Sequence, residues 1–156
     1  MITAPVDVLA GIADDEASRV LALGTRVALS AGQVLFNLGD AAESLFVVER
    51  GRIALTLPMT VRDSQRDVLV EERAAGQSLG WSALVPPHRF TLKAAAAVDA
   101  EVLALRREAL FEHFAGHPAV GYAVMQSLSA VVGHRLQLVQ TMWLREVQRV
   151  VEITRA

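Results

Sequence analysis

The sequence of 156 residues contains no cysteine and only one lysine, Lys93. Without cysteine the chain can form no disulfide, no thiolate nucleophile and no cysteine-ligated zinc or iron–sulfur site. The formal net charge of −2 provides no general attraction to nucleic acids or to anionic membranes. These features exclude cysteine chemistry and predict no direct contact of this chain with nucleic acid or membrane.

The sequence also lacks any apolar run near the roughly 20 residues that a membrane-spanning helix needs. Its first residues, Met1 to Asp7, have neither the basic nor the apolar region of a signal peptide. We therefore expect a cytoplasmic protein.

No catalytic motif is recognisable. The sequence has no P-loop, no serine–histidine–aspartate arrangement with workable spacing and no paired acid and base. His113 and His117 have helical i, i+4 spacing, but Gly116 and Pro118 interrupt the helix and no third metal ligand is evident. We predict no enzyme, no catalytic residue, no bound metal and no resident cofactor.

What the sequence does contain divides into three regions of a single predicted domain, residues 1–156. Residues 12–24 predict a short N-terminal helix that begins with acidic residues and ends at Gly24. Residues 25–106 show short strands separated by glycine turns, which is typical of a barrel or sandwich. Residues 109–155 predict helices, with no DNA-binding domain. The predicted fold class is mainly β with flanking helices.

Seven strands are predicted in the central region from runs of β-branched and other apolar residues. Pro58 is expected at a strand end or sheet edge because it cannot donate a ladder hydrogen bond. Glu71 and Glu72 indicate an exposed strand end. The predicted strands are Val27–Leu29, Val34–Phe36, Leu45–Val48, Ile53–Leu57, Val68–Val70, Phe90–Lys93 and Val102–Leu105.

A long helix is predicted after His117 and Pro118, with apolar residues at every third or fourth position. Because its apolar arc is too wide for a small barrel to cover, we expect it to pair with the same helix of a second subunit. His134 and Arg135 are expected to be solvated or interfacial. The predicted homodimer contacts are Leu128, Val132, Leu136, Val139, Trp143 and Val147.

The segment Leu79–Thr91 is the candidate binding site. Gly80 permits a positive φ, and Ser82 is a suitable N-cap for one helical turn, Ala83–Val85, which Pro86 and Pro87 would end. The unpaired N–H groups of such a turn attract an anion, and a cation follows within reach. The predicted ligand-binding residues are Leu79, Gly80, Trp81, Ser82, Ala83, His88, Arg89, Phe90 and Thr91.

Two segments, Ala31–Asp40 and Ser44–Ile53, closely resemble the opening of cyclic nucleotide-binding domains. The resemblance extends from about residue 12 to about residue 141. It implies an eight-stranded β-roll (a double-stranded β-helix, or jelly roll) with a short N-terminal helix and a long C-terminal dimerisation helix. It also implies cyclic AMP or cyclic GMP as a candidate ligand, and a helix that reports ligand occupancy.

The candidate site departs from the family pattern at two positions. Where the family has Phe-Gly-Glu, this sequence has Leu79-Gly80-Trp81, so the carboxylate that accepts from the ribose is replaced by an indole that only donates. Losing such a charged hydrogen bond removes roughly 1.5–3 kcal/mol. His88 occupies the position that corresponds to the family's phosphate-binding arginine, and Arg89 follows one residue later. In a strand, this offset points Arg89 away from the site unless a bulge redirects it.

The leading hypothesis is a non-enzymatic regulatory domain that binds a cyclic nucleotide or another small anion and signals through its long helix. One alternative is a ligand-free dimeric scaffold for an unknown protein partner, with Trp81 filling the site. Another is the sensor half of a DNA-binding regulator, because a helix-turn-helix domain follows the long helix in transcription-factor relatives. The sequence stops at Ala156, and we expect a stand-alone form.

Overall fold

Eight antiparallel strands form two four-stranded sheets in the computed structural model of the protein, which describes residues 4–156. A short N-terminal helix precedes the strands and two helices follow them. The helices are α1 (Asp14–Leu21), α2 (Arg107–Gly116) and α3 (Pro118–Arg155), with 3-10 turns at Asp7–Leu9 and Trp81–Ala83. The strands are β1 (Thr25–Leu29), β2 (Val34–Phe36), β3 (Ser44–Arg50), β4 (Arg52–Val61), β5 (Ser64–Ala74), β6 (Ser78–Leu79), β7 (Lys93–Ala96) and β8 (Ala100–Arg106).

The strand order is β1-β8-β3-β6 in one sheet and β2-β7-β4-β5 in the other. The core lies between the two sheets, where apolar residues of β3, β4 and β8 are buried. In β3 four consecutive residues, Leu45 to Val48, are buried. The predicted fold class, a mainly β roll with flanking helices, is confirmed.

The β4–β5 hairpin extends beyond the sheet. Strand β4 pairs with β7 only as far as Thr56 and then continues with β5 alone to Val61. Its inward positions Ile53 and Leu55 are buried, and the same alternation continues into an exposed apolar face formed by Leu57, Met59 and Val61.

This hairpin is longer than the sequence predicts. The runs Ile53–Leu57 and Val68–Val70 were expected to be separate short strands, but Arg62 and Asp63 adopt positive φ values of 45° and 63° and join them in a tight turn. Asn and Asp are the usual non-glycine residues with positive φ, so Arg62 gives little sequence signal. Pro58 lies beyond Thr56, where β4 has one free side and a missing N–H is tolerated.

Helix α3 has two halves with different surroundings. In its first half Val120, Val124 and Leu128 are buried against the roll, and the helix also packs on the Asp7–Leu9 turn. From Leu136 onward the side chains are exposed, except for half-buried Leu138. At about 1.5 Å per residue the 38-residue helix is about 57 Å long. None of the described helices combines the length and apolarity needed to cross a membrane.

Leu128 requires a correction to the predicted dimer contacts. It is only 1% exposed and lies in the core of its own chain, because the first half of α3 rests on the roll. Val132 is half-buried, and the remaining predicted contacts, Leu136, Val139, Trp143 and Val147, are exposed. Their role in dimerisation stays a prediction.

Candidate functional site

The candidate site begins at a sharp turn between β6 and the 3-10 turn Trp81–Ala83. Gly80 has the positive φ expected from the sequence, 76°, and occupies the N-cap position. The turn therefore starts two residues earlier than predicted, because the left-handed backbone of Gly80 leads directly into it. Ser82 is inside the turn and buried, and no side-chain capping hydrogen bond forms.

Gly80 is also crowded. A Cβ at this position would lie 3.1 Å from Phe90 Cε1, 3.2 Å from Phe46 Cδ2 and 3.3 Å from the carbonyl oxygen of Ser44. Glycine therefore serves both the backbone angle and the close approach of two aromatic rings.

Gly80→Ala is expected to lower the free energy of unfolding by about 1–3 kcal/mol, because it combines left-handed strain with crowding. Urea denaturation would measure the loss. Gly39→Ala is the matched control, since Gly39 has a similar φ of 88° and nothing within 4 Å of an added Cβ. The control should lose less stability than Gly80→Ala, and equal losses would contradict the role of crowding.

The two basic side chains of the candidate site, His88 and Arg89, each contact a backbone carbonyl oxygen. His88 has a φ of 58°, and its Nδ1 lies 3.1 Å from the carbonyl oxygen of Ser82. Arg89 forms a β-bridge with Ala41, and its Nη1 donates to the carbonyl oxygen of Gly39 at 3.0 Å. Because side chains alternate along extended backbone, Phe90 points inward while Arg89 is exposed.

A small hollow lies between Gly80 and the long helix. Its volume is about 10 Å³, which is about the space of one water molecule. Of the predicted site residues, the hollow brings together Gly80, Trp81, Ser82, Phe90 and Thr91. It does not include Leu79 and Ala83, which are buried in the core, or His88 and Arg89. The complete lining is Phe36, Leu55, Gly80, Trp81, Ser82, Phe90, Thr91, Leu92 and Arg135. Ligand binding by these residues stays a prediction.

Aromatic rings fill the space around this hollow. The rings of Phe36 and Phe90 stack with centroids 3.6 Å apart and planes 11° apart. The ring of Phe46 lies 5.9 Å from that of Phe36. All three phenylalanines are buried, and Trp81 packs half-buried against the same core. The roll interior is therefore occupied by its own side chains.

One cation does reach the hollow, and it comes from α3. Arg135 is only 9% exposed, and its Nε donates to Glu71 Oε2 at 2.6 Å. The expectations that Arg135 is solvated or interfacial and that Glu71 marks an exposed strand end are therefore wrong. Arg135 lies seven residues, or nearly two helical turns, after buried Leu128, so the spacing of the inward face could have identified it.

Among residues 4–156, no group of three or more histidine and acidic side chains is positioned to hold a metal ion. His113 and His117 stack with ring centroids 4.3 Å apart, and His117 Nδ1 lies 3.1 Å from the carbonyl oxygen of His113.

Several solved structures share this architecture. The N-terminal domain of a transcriptional regulator from Streptomyces coelicolor A3(2) is 23% identical, with a TM-score of 0.69 over 82% of this chain and 89% of that chain. The catabolite activator protein of Thermus thermophilus is 23% identical, with a TM-score of 0.73 over 91% of this chain and 63% of that chain. The c-di-GMP responsive global regulator CLP of Xanthomonas campestris is 17% identical, with a TM-score of 0.75 over 85% of this chain and 64% of that chain. These likenesses show the fold.

No curated protein sequence matches the chain significantly. The family model of the cyclic nucleotide-binding domain matches residues 26–117, which is more than half of the chain and includes every strand from β2 to β8. This match agrees with the two-sheet roll and with the resemblance noted in Ala31–Asp40 and Ser44–Ile53. The protein therefore belongs to the cyclic nucleotide-binding domain family, a family of regulatory sensors.

Proposed function

We propose that this chain is a non-enzymatic regulatory module whose roll is closed by its own side chains and which acts without a cyclic nucleotide. The observation that carries the proposal is the volume of the hollow, about 10 Å³. Pockets for small-molecule ligands usually measure roughly 300–1,000 Å³. A cyclic nucleotide would need far more space than this hollow provides.

The polar groups around the hollow support the same proposal. Trp81 provides no acceptor for a ribose hydroxyl, since an indole N–H only donates. The guanidinium of Arg89 is engaged with the carbonyl oxygen of Gly39 on the outside of the roll. Arg135, which does line the hollow, is paired with Glu71. Binding would therefore have to overcome side-chain packing with few contacts in return.

We further propose that the output surface is the exposed half of α3, which would form a homodimer. Leu136 is 57% exposed and Trp143 is 66% exposed. With Val139, Val147 and Val150 these residues recur at spacings of three and four, which is the pattern of a helix that pairs with another helix. A two-fold dimer would bury the same stripe on both copies.

Calorimetric titration with cyclic AMP, cyclic GMP and c-di-GMP tests the closed roll, and we expect no binding heat from the wild-type protein.

Trp81→Glu would restore the missing acceptor, but the closed hollow and the outward Arg89 predict no gain in affinity. Thermal melting of Trp81→Glu would show that this variant is folded. A dissociation constant in the low micromolar range for any of these nucleotides would overturn the proposal.

A second candidate function is the sensor half of a transcription regulator. It is favoured by the structural match to the N-terminal domain of a transcriptional regulator from Streptomyces coelicolor A3(2). The match covers 89% of that domain's chain. The genomic sequence downstream of the codon for Ala156 would test this alternative. A DNA-binding domain encoded there in frame is expected under this alternative only.

A further inference from the structure

Four charged side chains form a continuous network across the junction between the roll and α3. Arg135 of α3 donates through Nε to Glu71 Oε2 of β5 at 2.6 Å. Arg73 donates through Nη1 to Glu71 Oε1 at 2.8 Å, and through Nη2 to Asp7 Oδ2 at 2.8 Å. The network therefore connects the long helix through β5 to the 3-10 turn at Asp7–Leu9.

The backbone fixes the middle and the N-terminal end of this network. Arg73 Nε donates to the carbonyl oxygen of Ser78 at 2.8 Å. The carboxylate of Asp7 accepts from the N–H of Ser78 at 3.1 Å and from the N–H of Val8 at 2.7 Å. Arg73 is buried, and Glu71 and Asp7 are partly buried. The Glu71 carboxylate is therefore also held by Arg73, whose own position is fixed by backbone contacts.

The other contacts that hold α3 on the roll are mainly apolar. Val124 and Leu128 are buried in the core, and hydrophobic contacts of this kind are non-directional. The Arg135–Glu71 bond is directional, and Arg135 is the last buried residue before the exposed half of the helix. Among these contacts it is therefore the one whose geometry depends most on the rotation of α3.

Energetic considerations also favour a positional role. Replacing a buried ion pair with apolar residues of similar volume is often neutral or stabilising, so such a pair is weak evidence of stabilisation. The best supported role of a buried ion pair is to select one packing arrangement among several that apolar contacts alone would allow.

We propose that Asp7, Arg73, Glu71 and Arg135 form a latch that holds α3 in one rotation and register on the closed roll. The latch takes the place of a bound ligand in fixing the long helix. The inference deepens the proposed function and rests on it, because a module with a filled roll needs another means of positioning its output helix.

Arg135→Met is the test variant, because it removes the helix end of the latch and leaves Glu71 paired with Arg73. Methionine is unbranched and a good helix former, so the substitution does not itself lower helix propensity. We expect amides of residues 118–135 and of the Asp7–Leu9 turn to exchange with deuterium at least tenfold faster. The urea midpoint and the exchange of the core strands β3 and β8 should stay near wild-type values.

The matched control is Arg149→Met, because Arg149 forms an exposed ion pair with Glu146 at 2.7 Å on the same helix. It makes the same chemical change and should leave exchange in residues 118–135 unaltered. If Arg135→Met does not fold, Arg135→Lys carries the test, since it keeps the charge and loses the planar donor group. It should accelerate exchange in the same segments to a smaller degree.

Unchanged exchange in residues 118–135 would overturn the latch. So would acceleration spread evenly over all strands with a lowered urea midpoint, because that result is expected of a merely stabilising ion pair. The experiment contains no nucleotide, so failure of the latch can be distinguished from failure of the closed-roll proposal, which the titrations detect.

Discussion

Trp143→Glu is expected to convert the proposed dimer into monomers. Trp143 is the largest exposed apolar side chain in the second half of α3. Tryptophan is enriched among interface hot spots, which by definition cost at least about 2 kcal/mol when they are truncated. Because a two-fold interface contains it twice, we expect a loss of roughly 4 kcal/mol, or about 10³-fold in affinity. Analytical ultracentrifugation across a concentration series would measure the change in mass.

Gln148→Glu is the control for this variant. It adds the same charge to the same exposed half of α3, but it lies about 140° around the helix from Trp143, since each residue turns the helix by about 100°. The control should remain dimeric. A wild-type protein that sediments as a monomer at every concentration would contradict the proposed interface.

Phe90→Ala is expected to lower the free energy of unfolding by about 3–5 kcal/mol, because the buried ring is lost and a cavity is left behind. Phe90 stacks on Phe36, lines the hollow and lies against Gly80. For a chain of this length each kcal/mol corresponds to roughly 2–4 °C in the melting temperature. Calorimetric melting would record the shift.

Phe111→Ala provides the comparison, because Phe111 is an exposed phenylalanine on α2. Its removal should lower the melting temperature far less. If Phe90→Ala lost no more than Phe111→Ala, the roll would be open in solution and the closed interior would have to be abandoned.

Much of the roll could be predicted from local sequence because its turns and strands carry local signals. The turns at Gly32, Gly39, Gly51 and Gly76 all have positive φ and separate the strands as expected. The sequence does not predict the two-residue strand β6, since so short a segment has no periodicity. The sequence predicts too short a hairpin because Arg62 and Asp63 form its turn without glycine.

The candidate site was harder to predict because its shape depends on residues that are distant in sequence. The positive φ of Gly80 follows from residue type. Arg89 is exposed, but it lies outside any strand, because the predicted strand Phe90–Lys93 is wrong and β7 instead spans Lys93–Ala96. The closure of the hollow depends on Phe36 stacking against Phe90, two residues separated by 54 positions. No local pattern specifies that contact, so the sequence could not indicate that these two rings pack beside Gly80.

The extension of the β4–β5 hairpin has a further consequence for self-association. Beyond Thr56, β4 offers a bare strand edge next to exposed apolar side chains, which is the geometry that recruits strands from neighbouring molecules. Pro58 removes one donor from this edge, and charged Arg66 and Asp67 lie on the opposing strand. Such residues discourage growth of the sheet between molecules. These residues therefore disfavour aggregation through pairing of strand edges, and the exposed half of α3 remains the surface available for self-association.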